Sequence, residues 1–279
     1  MPQLFVGTSP LPHRFERYWG AMNAVELLDA ARTPIRLRVL RRLRRTAGEG
    51  FAFCLPVWHW LVEDPLDIDE APPLDLPVRE IGRLRETASN ARLFEEVRLQ
   101  IEALRPRWVS VRTPSSFTPT EENRAALVAF FRERLVPLGV TPVWEARGLW
   151  TRDEVRELAR DAGGLAMLDP FADFEFPPVG EGEALYAIHQ PRGRRMFSRE
   201  DYEDLVSFVQ AHEGDVTVFF RGPDREQNAA VMRRTHPEEV FESDPDGWTA
   251  QGPQTGTAAL WTDGEDGDEE EGDEGDEEA

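Results

Sequence analysis

With 279 residues, 40% of them apolar, the chain is long enough for one large domain or two small ones around a sizeable core. Its formal charge of −21 is concentrated: residues 262–279 hold twelve acids and no base, leaving 41 acids against 32 arginines, an acidic body with no general pull toward nucleic acid or a membrane surface. The basic residues are all arginine, which excludes Schiff-base chemistry on a lysine, and the single cysteine, Cys54, excludes an internal disulfide and a cysteine-built zinc site.

The opening stretch, "MPQLFVGTSPLPHRF", has no charged leader before a long apolar run, and no later stretch approaches the roughly 20 apolar residues of a membrane helix. A soluble cytoplasmic protein is expected. "LFVGT" (4–8) reads as a first strand and "NAVELL" (23–28) as a second. "TPIRLRVLRRLRRT" (33–46) reads as a helix, with Thr33 as cap and Pro34 in the first turn, where no N–H is missed. "FAFCL" (51–55) is a third strand, and the proline- and acid-rich 61–78 a surface excursion. A helical pattern covers 79–104, and "RWVSVR" (107–112) alternates cleanly as a fourth strand. Residues 118–139 read as an amphipathic helix capped at Thr120 and stopped at Gly139. "VTPVWEA" (140–146) is a fifth strand. The helix at 151–163 takes Thr151 as its cap and Gly163 as its stop. Strands six to eight are "GLAMLD" (164–169), "ALYAIHQ" (184–190) and "DVTVFF" (215–220). A helix capped by Ser198 spans 198–214, and a last short one 225–234.

About eight strands alternating with helices imply a parallel sheet covered by helices. Eight such units within residues 1–236 match the size of a TIM-type (β/α)8 barrel, with an open doubly wound sheet as the rival. Residues 237–261 read as an irregular extension. Residues 262–279 read as a disordered acidic tail, since dense like charge with no apolar residue but the final Ala279 cannot bury a core.

In barrels of this kind chemistry sits at the C-terminal ends of the strands. There the sequence places Ser9 after strand one, Arg112 after strand four and Glu145 with Arg147 after strand five. Asp169 follows strand six, His189 strand seven and Arg221 strand eight. Because side chains alternate along a strand, Glu145 and Arg147 share a face, and the polar set is expected to converge on the barrel mouth. Glu145, His189 and Asp169 are the candidate catalytic groups. Arg147, Arg112, Arg221 and Ser9 are the candidate ligand-binding groups for a small anion. Each also has a structural role open to it: Glu145 with Arg147 as an ion pair closing the barrel, Asp169 as a turn cap, His189 as a core histidine. No metal is expected, since the five histidines show no paired ligand spacing, and no cofactor is legible. "WHW" (58–60) reads as a packed aromatic cluster and Cys54 as a core residue. "LRRLRR" (40–45) reads as a solvated basic helix face.

Several short motifs, in order, carry a resemblance: Gly7-Thr8-Ser9, Val25-Glu26, Phe51-Ala52-Phe53, Ser116-Phe117, then Glu145, Arg147 and Trp150 as E-x-R-x-x-W, and His189 ending strand seven. In these the chain resembles the YecE-like family, domain of unknown function seventy-two, over roughly 4–232. The resemblance implies a TIM-type barrel and supplies no reaction. Pro56, Arg112, Ala187 and Phe219-Phe220-Arg221-Gly222 stand where the family pattern has other residues, which marks a divergent member. Two functions stay open: an enzyme or small-anion binder acting through the strand ends, and a degenerate barrel serving as a scaffold, its acidic tail free to meet a basic partner. Nucleic acid is disfavoured by the acidic body, and a membrane role by the missing apolar span. The oligomeric state is not legible.

Overall fold

The computed structural model describes residues 2–12, 18–172, 176–180, 182–189 and 197–233. The predicted extension and acidic tail, and the Gln190 end of the predicted seventh strand, lie outside the described residues.

Eight parallel strands close into a barrel in sequence order: Leu4–Thr8 (β1), Ala24–Glu26 (β2), Ala52–Pro56 (β3), Trp108–Arg112 (β4), Thr141–Glu145 (β5), Leu165–Leu168 (β6), Ala184–Ile188 (β7) and Val216–Phe220 (β8). β8 pairs back onto β1, so no edge is left open among these strands. The expected barrel is therefore the observed one, and the open sheet is excluded. The strands are short and buried on both faces, as parallel barrel strands must be. Alternation sorts their side chains into two layers. Phe5, Trp108, Val143, Leu185, Ala187 and Phe219 fill the barrel interior, while Val6, Val109, Val111, Tyr186 and Val218 pack outward under the helices. Gly7 is required where β1 meets β2: a Cβ there would lie 2.0 Å from the Ala24 carbonyl oxygen.

The helices are Tyr18–Ala21 (α1), Leu37–Ala47 (α2), His59–Val62 (α3), Ala88–Leu104 (α4), Glu121–Ala129 (α5), Arg152–Asp161 (α6), Arg199–Gln210 (α7) and Arg225–Arg233 (α8). The expected caps at Thr120, Thr151 and Ser198 are in place; the last two form capping boxes with Glu154 and Asp201. Two expected starts are corrected. The helix expected from Thr33 begins at Leu37, because the Thr33 N–H closes a turn on the Asp29 carbonyl and the Ile35 N–H is taken by Gln100 of α4. The helix expected from 79 begins at Ala88. Gly82, Arg83 and Leu84 all have positive φ, and the backbone N–H groups of Arg83 and Leu84 bond to Glu63 and Leu61. The apolar spacing of Ile81 and Leu84 imitates a helix there, yet both are buried from a loop. The helix expected over 118–139 runs regularly only through α5. It then widens over Phe130–Leu135 to seat Phe130, Phe131 and Leu135, and tightens over Val136–Leu138 before Gly139.

At the N-terminal end of the barrel, Arg107 pairs with Glu183 and Asp215 and lies over the Phe5 and Trp108 rings. That end is closed by structure, which leaves the C-terminal end as the accessible one.

Candidate functional site at the barrel mouth

The C-terminal end of the barrel is closed from within by four charged side chains. Arg221 follows β8, and its N–H, bonded to the Ile188 carbonyl at 2.7 Å, fixes the backbone so that the side chain turns inward. Its Nη2 donates to Glu26 Oε2 at 2.7 Å and its Nε at 3.1 Å, while Nη1 and Nη2 donate to Glu145 Oε1 and Oε2 at 2.8 and 2.9 Å. Glu26 ends β2 and Glu145 ends β5. All three residues are buried, with Glu26 at 0% exposure. Ser9 donates to Glu26 at 2.5 Å, and Arg112 closes the far side of Glu145 at 2.8 Å. Two carboxylates and two guanidiniums thus alternate across the mouth, and the charge nearly cancels.

This arrangement decides the state of Glu145. Burial alone would raise its pKa, but the Arg221 charge and hydrogen bonds, followed by the charges of Arg112 and Arg147, outweigh that and bring it down to about 2. Glu145 is a carboxylate throughout the neutral range. Arg221 is held more strongly protonated than usual by the same two acids, against the opposing effect of its burial.

Above this layer lies a cavity of about 510 Å³ whose lining includes Glu145, Arg147, Trp150, Met167, Asp169 and His189. Asp169 sits just past β6 and His189 just past β7. The Asp169 carboxylate lies 3.6 Å from His189 Nδ1, and it accepts hydrogen bonds from the backbone N–H groups of Phe171 at 2.9 Å and His189 at 3.3 Å. The His189 side chain is 53% exposed, so its ring faces solvent and any incoming molecule. It is not the core histidine that one reading of the sequence allowed.

The structure brings the predicted residues together in two groups. Ser9, Arg112, Glu145 and Arg221 form the buried network, whereas Asp169, His189 and Arg147 form the accessible face. The carboxylate beside His189 is Asp169, not Glu145. The ion-pair partners of Glu145 among the described residues are Arg221 and Arg112; Arg147 is exposed and acts on it only through space. Sequence reasoning missed Glu26 as a site residue. The signal was available: Glu26 ends a strand whose inward positions are Ala24 and itself, on the same alternation that singled out Glu145. Cys54 is fully buried, and burial, then the nearby Glu26 charge, pushes its thiol well above the usual range. Trp58, His59 and Trp60 are buried as expected of a packed cluster.

Among the described residues, no group of three or more histidine, cysteine or acidic side chains is placed to hold a metal ion. No helix among them is long and apolar enough to cross a membrane.

No protein-family model matches the chain, and neither does any curated protein. Solved structures do match in fold. A DUF72 family protein from Enterococcus faecalis V583 superposes with a TM-score of 0.61 at 15% identity, over 87% of this chain and 98% of that one. A DUF72 family protein from Thermotoga maritima MSB8 gives a TM-score of 0.53 at 18% identity, over 86% of this chain and 99% of that one. At these identities the likeness is one of fold. The chain shares the whole barrel with these proteins, and not a fragment of it.

Proposed function

We propose that the chain is a divergent YecE-like barrel that binds a small organic anion at its mouth and exchanges a proton with it. Arg147 holds the anion and His189, oriented by Asp169, moves the proton. One observation carries the reading: an imidazole half open to solvent, with a carboxylate against its Nδ1, faces the same cavity as an arginine that has no counter-ion among the described residues. With the carboxylate beside one ring nitrogen, the other nitrogen stays available to a ligand. Glu145, Arg221, Glu26 and Arg112 form the rigid charged layer beneath, and Glu145 takes no part in proton exchange near neutrality. The ordered motif matches support family membership, as does the fold shared with DUF72 proteins.

The self-satisfaction of the buried network favours a second reading, a barrel kept as a scaffold after its chemistry was lost. Thermal shift of the wild type against a panel of carboxylates and sugar phosphates separates the two, because a ligand that binds only the folded state raises the midpoint. The expected result is at least one ligand whose shift disappears in His189→Ala and in Arg147→Ala, with the ligand-free midpoints of both variants unchanged. An empty panel, or shifts indifferent to both changes, would refute the site reading and leave the scaffold.

A further inference from the structure

A second cavity, of about 700 Å³, opens beside the first, between the segments that follow β2, β3, β4 and β5. Arg32, Arg112 and Arg147 line it together with His59 and the hydroxyl residues Thr33, Thr113 and Ser115, and two acids, Asp29 and Glu63, also border it, so three guanidiniums face two carboxylates. Arg147 borders both cavities, so the two meet at that residue. The "WHW" cluster, beyond filling the core, builds this wall. Trp58 Nε1 donates to the Arg32 carbonyl at 3.0 Å and His59 Nδ1 to the Ala31 carbonyl at 2.8 Å. Two buried side chains therefore pin the turn that carries Arg32 and Thr33, and that turn is shaped in advance of any ligand. A carbonyl can only accept, so the His59 hydrogen on Nδ1 is committed there. Nε2 is left buried without a hydrogen-bond partner among the described residues, and Glu70 stands 3.9 Å away, beyond bonding distance. A buried polar atom without a partner costs free energy unless something binds it.

We propose that this cavity is the subsite for the phosphate group of a phosphate monoester, held by Arg32 and Arg147 with the Thr33 and Ser115 hydroxyls, while His59 Nε2, an acceptor in the neutral ring, takes the hydroxyl of the monoprotonated phosphate. The ligand of the mouth is then a phosphorylated small molecule, its phosphate here and its reacting end at Asp169 and His189. The donors, two guanidiniums and two hydroxyls, come from the segments that follow β2, β4 and β5. That suits a tetrahedral oxyanion with three terminal oxygens better than a planar carboxylate, which offers two. Arg32 has no ion-pair partner among the described residues, and Arg112 already faces Glu145, so Arg32 and Arg147 supply the free positive charge. The assignment of the reacting end rests on the mouth reading given above; the phosphate subsite does not.

Inorganic phosphate is the first probe, followed by glycerol 3-phosphate against glycerol, measured by thermal shift and titration calorimetry. Wild type should bind both phosphorylated probes and not glycerol. Arg32→Ala, at an exposed position, should fold normally and bind phosphate at least about tenfold more weakly, as expected for loss of one charge-assisted contact. Arg32→Lys should recover part of that loss. His59→Asn keeps a donor for the Ala31 carbonyl and removes Nε2, so it should weaken phosphate without unfolding the chain. His189→Ala should bind inorganic phosphate like wild type. Failure of wild type to bind phosphate at about 50 mM, where even a weak ligand registers, overturns the subsite. So does Arg32→Ala binding like wild type. Phosphate lost equally in Arg32→Ala and His189→Ala overturns the division into two subsites. Phosphate held through Arg32, with glycerol 3-phosphate and the full ligand panel indifferent to His189, sinks the proton-transfer reading and leaves the phosphate subsite standing.

Discussion

Arg221→Met removes the cation on which the barrel mouth is built while keeping much of the side-chain volume. Glu26, at 0% exposure, would be left among the described residues with two hydroxyl partners, Ser9 at 2.5 Å and Ser110 at 3.5 Å. Glu145 would keep Arg112. Breaking a buried ion pair by deleting one partner costs about 3–5 kcal/mol, because the remaining charge is stranded. For a barrel of this size each kcal/mol moves the midpoint by roughly 2–4 °C, so a drop on the order of 10 °C is expected at pH 7. The pH dependence gives a sharper signature. In the wild type the folded pKa of Glu145 is depressed from 4.5 to about 2, so the group contributes stability above pH 4.5 that is lost as pH falls toward 2. At 1.36 kcal/mol per unit this contribution is about 3 kcal/mol. In Arg221→Met the charge that offsets the burial of these groups is gone, so the variant's loss relative to wild type should shrink as pH falls from 7 to 5. The urea midpoint of wild type and variant, measured from pH 7 to pH 4, tests the sign directly. Combining Glu26→Gln with Arg221→Met should recover much of the loss at pH 7, since the stranded charge is then removed while Glu145 keeps Arg112. A variant that loses less than about 1 kcal/mol, or keeps the wild-type slope with pH, would refute the claim that the network is held together by Arg221.

Two further outcomes follow from the packing and from the buried thiol. Gly7→Ala places a methyl 2.0 Å from the Ala24 carbonyl oxygen and should abolish or severely reduce soluble folded protein, whereas Gly20→Ala, with nothing within 4 Å, should express and melt like wild type. Equal melting of both variants would show that β1 and β2 approach less closely than described. Cys54 is fully buried with its thiolate disfavoured, so the native chain should resist a thiol reagent at pH 8 and react stoichiometrically only in denaturant. Rapid native labelling would contradict the closed barrel interior.

What the sequence determined by itself was local or periodic. Strand–helix alternation gave a parallel sheet covered by helices, and the count of eight pointed to a barrel, but only the pairing of β8 with β1 excluded the open sheet. The Thr120, Thr151 and Ser198 caps set three helix starts correctly, because a cap is satisfied within three residues. The period of two along β5 placed Glu145 inward. Where local pattern and tertiary contact disagreed, contact prevailed: Gln100, 65 residues from Ile35, took the N–H that a Thr33 side-chain cap would have bonded, and Leu61 and Glu63 drew residues 82–84 out of helical geometry. The pairing at the mouth was beyond the sequence for the same reason. Arg221 meets Glu26 across 195 residues and Glu145 across 76, and no spacing rule reaches that far. Eight strand ends offered many possible pairs of acid and base. Only closure of the barrel brought Glu26 opposite Arg221, set Asp169 rather than Glu145 beside His189, and left Arg147 facing the space between two cavities.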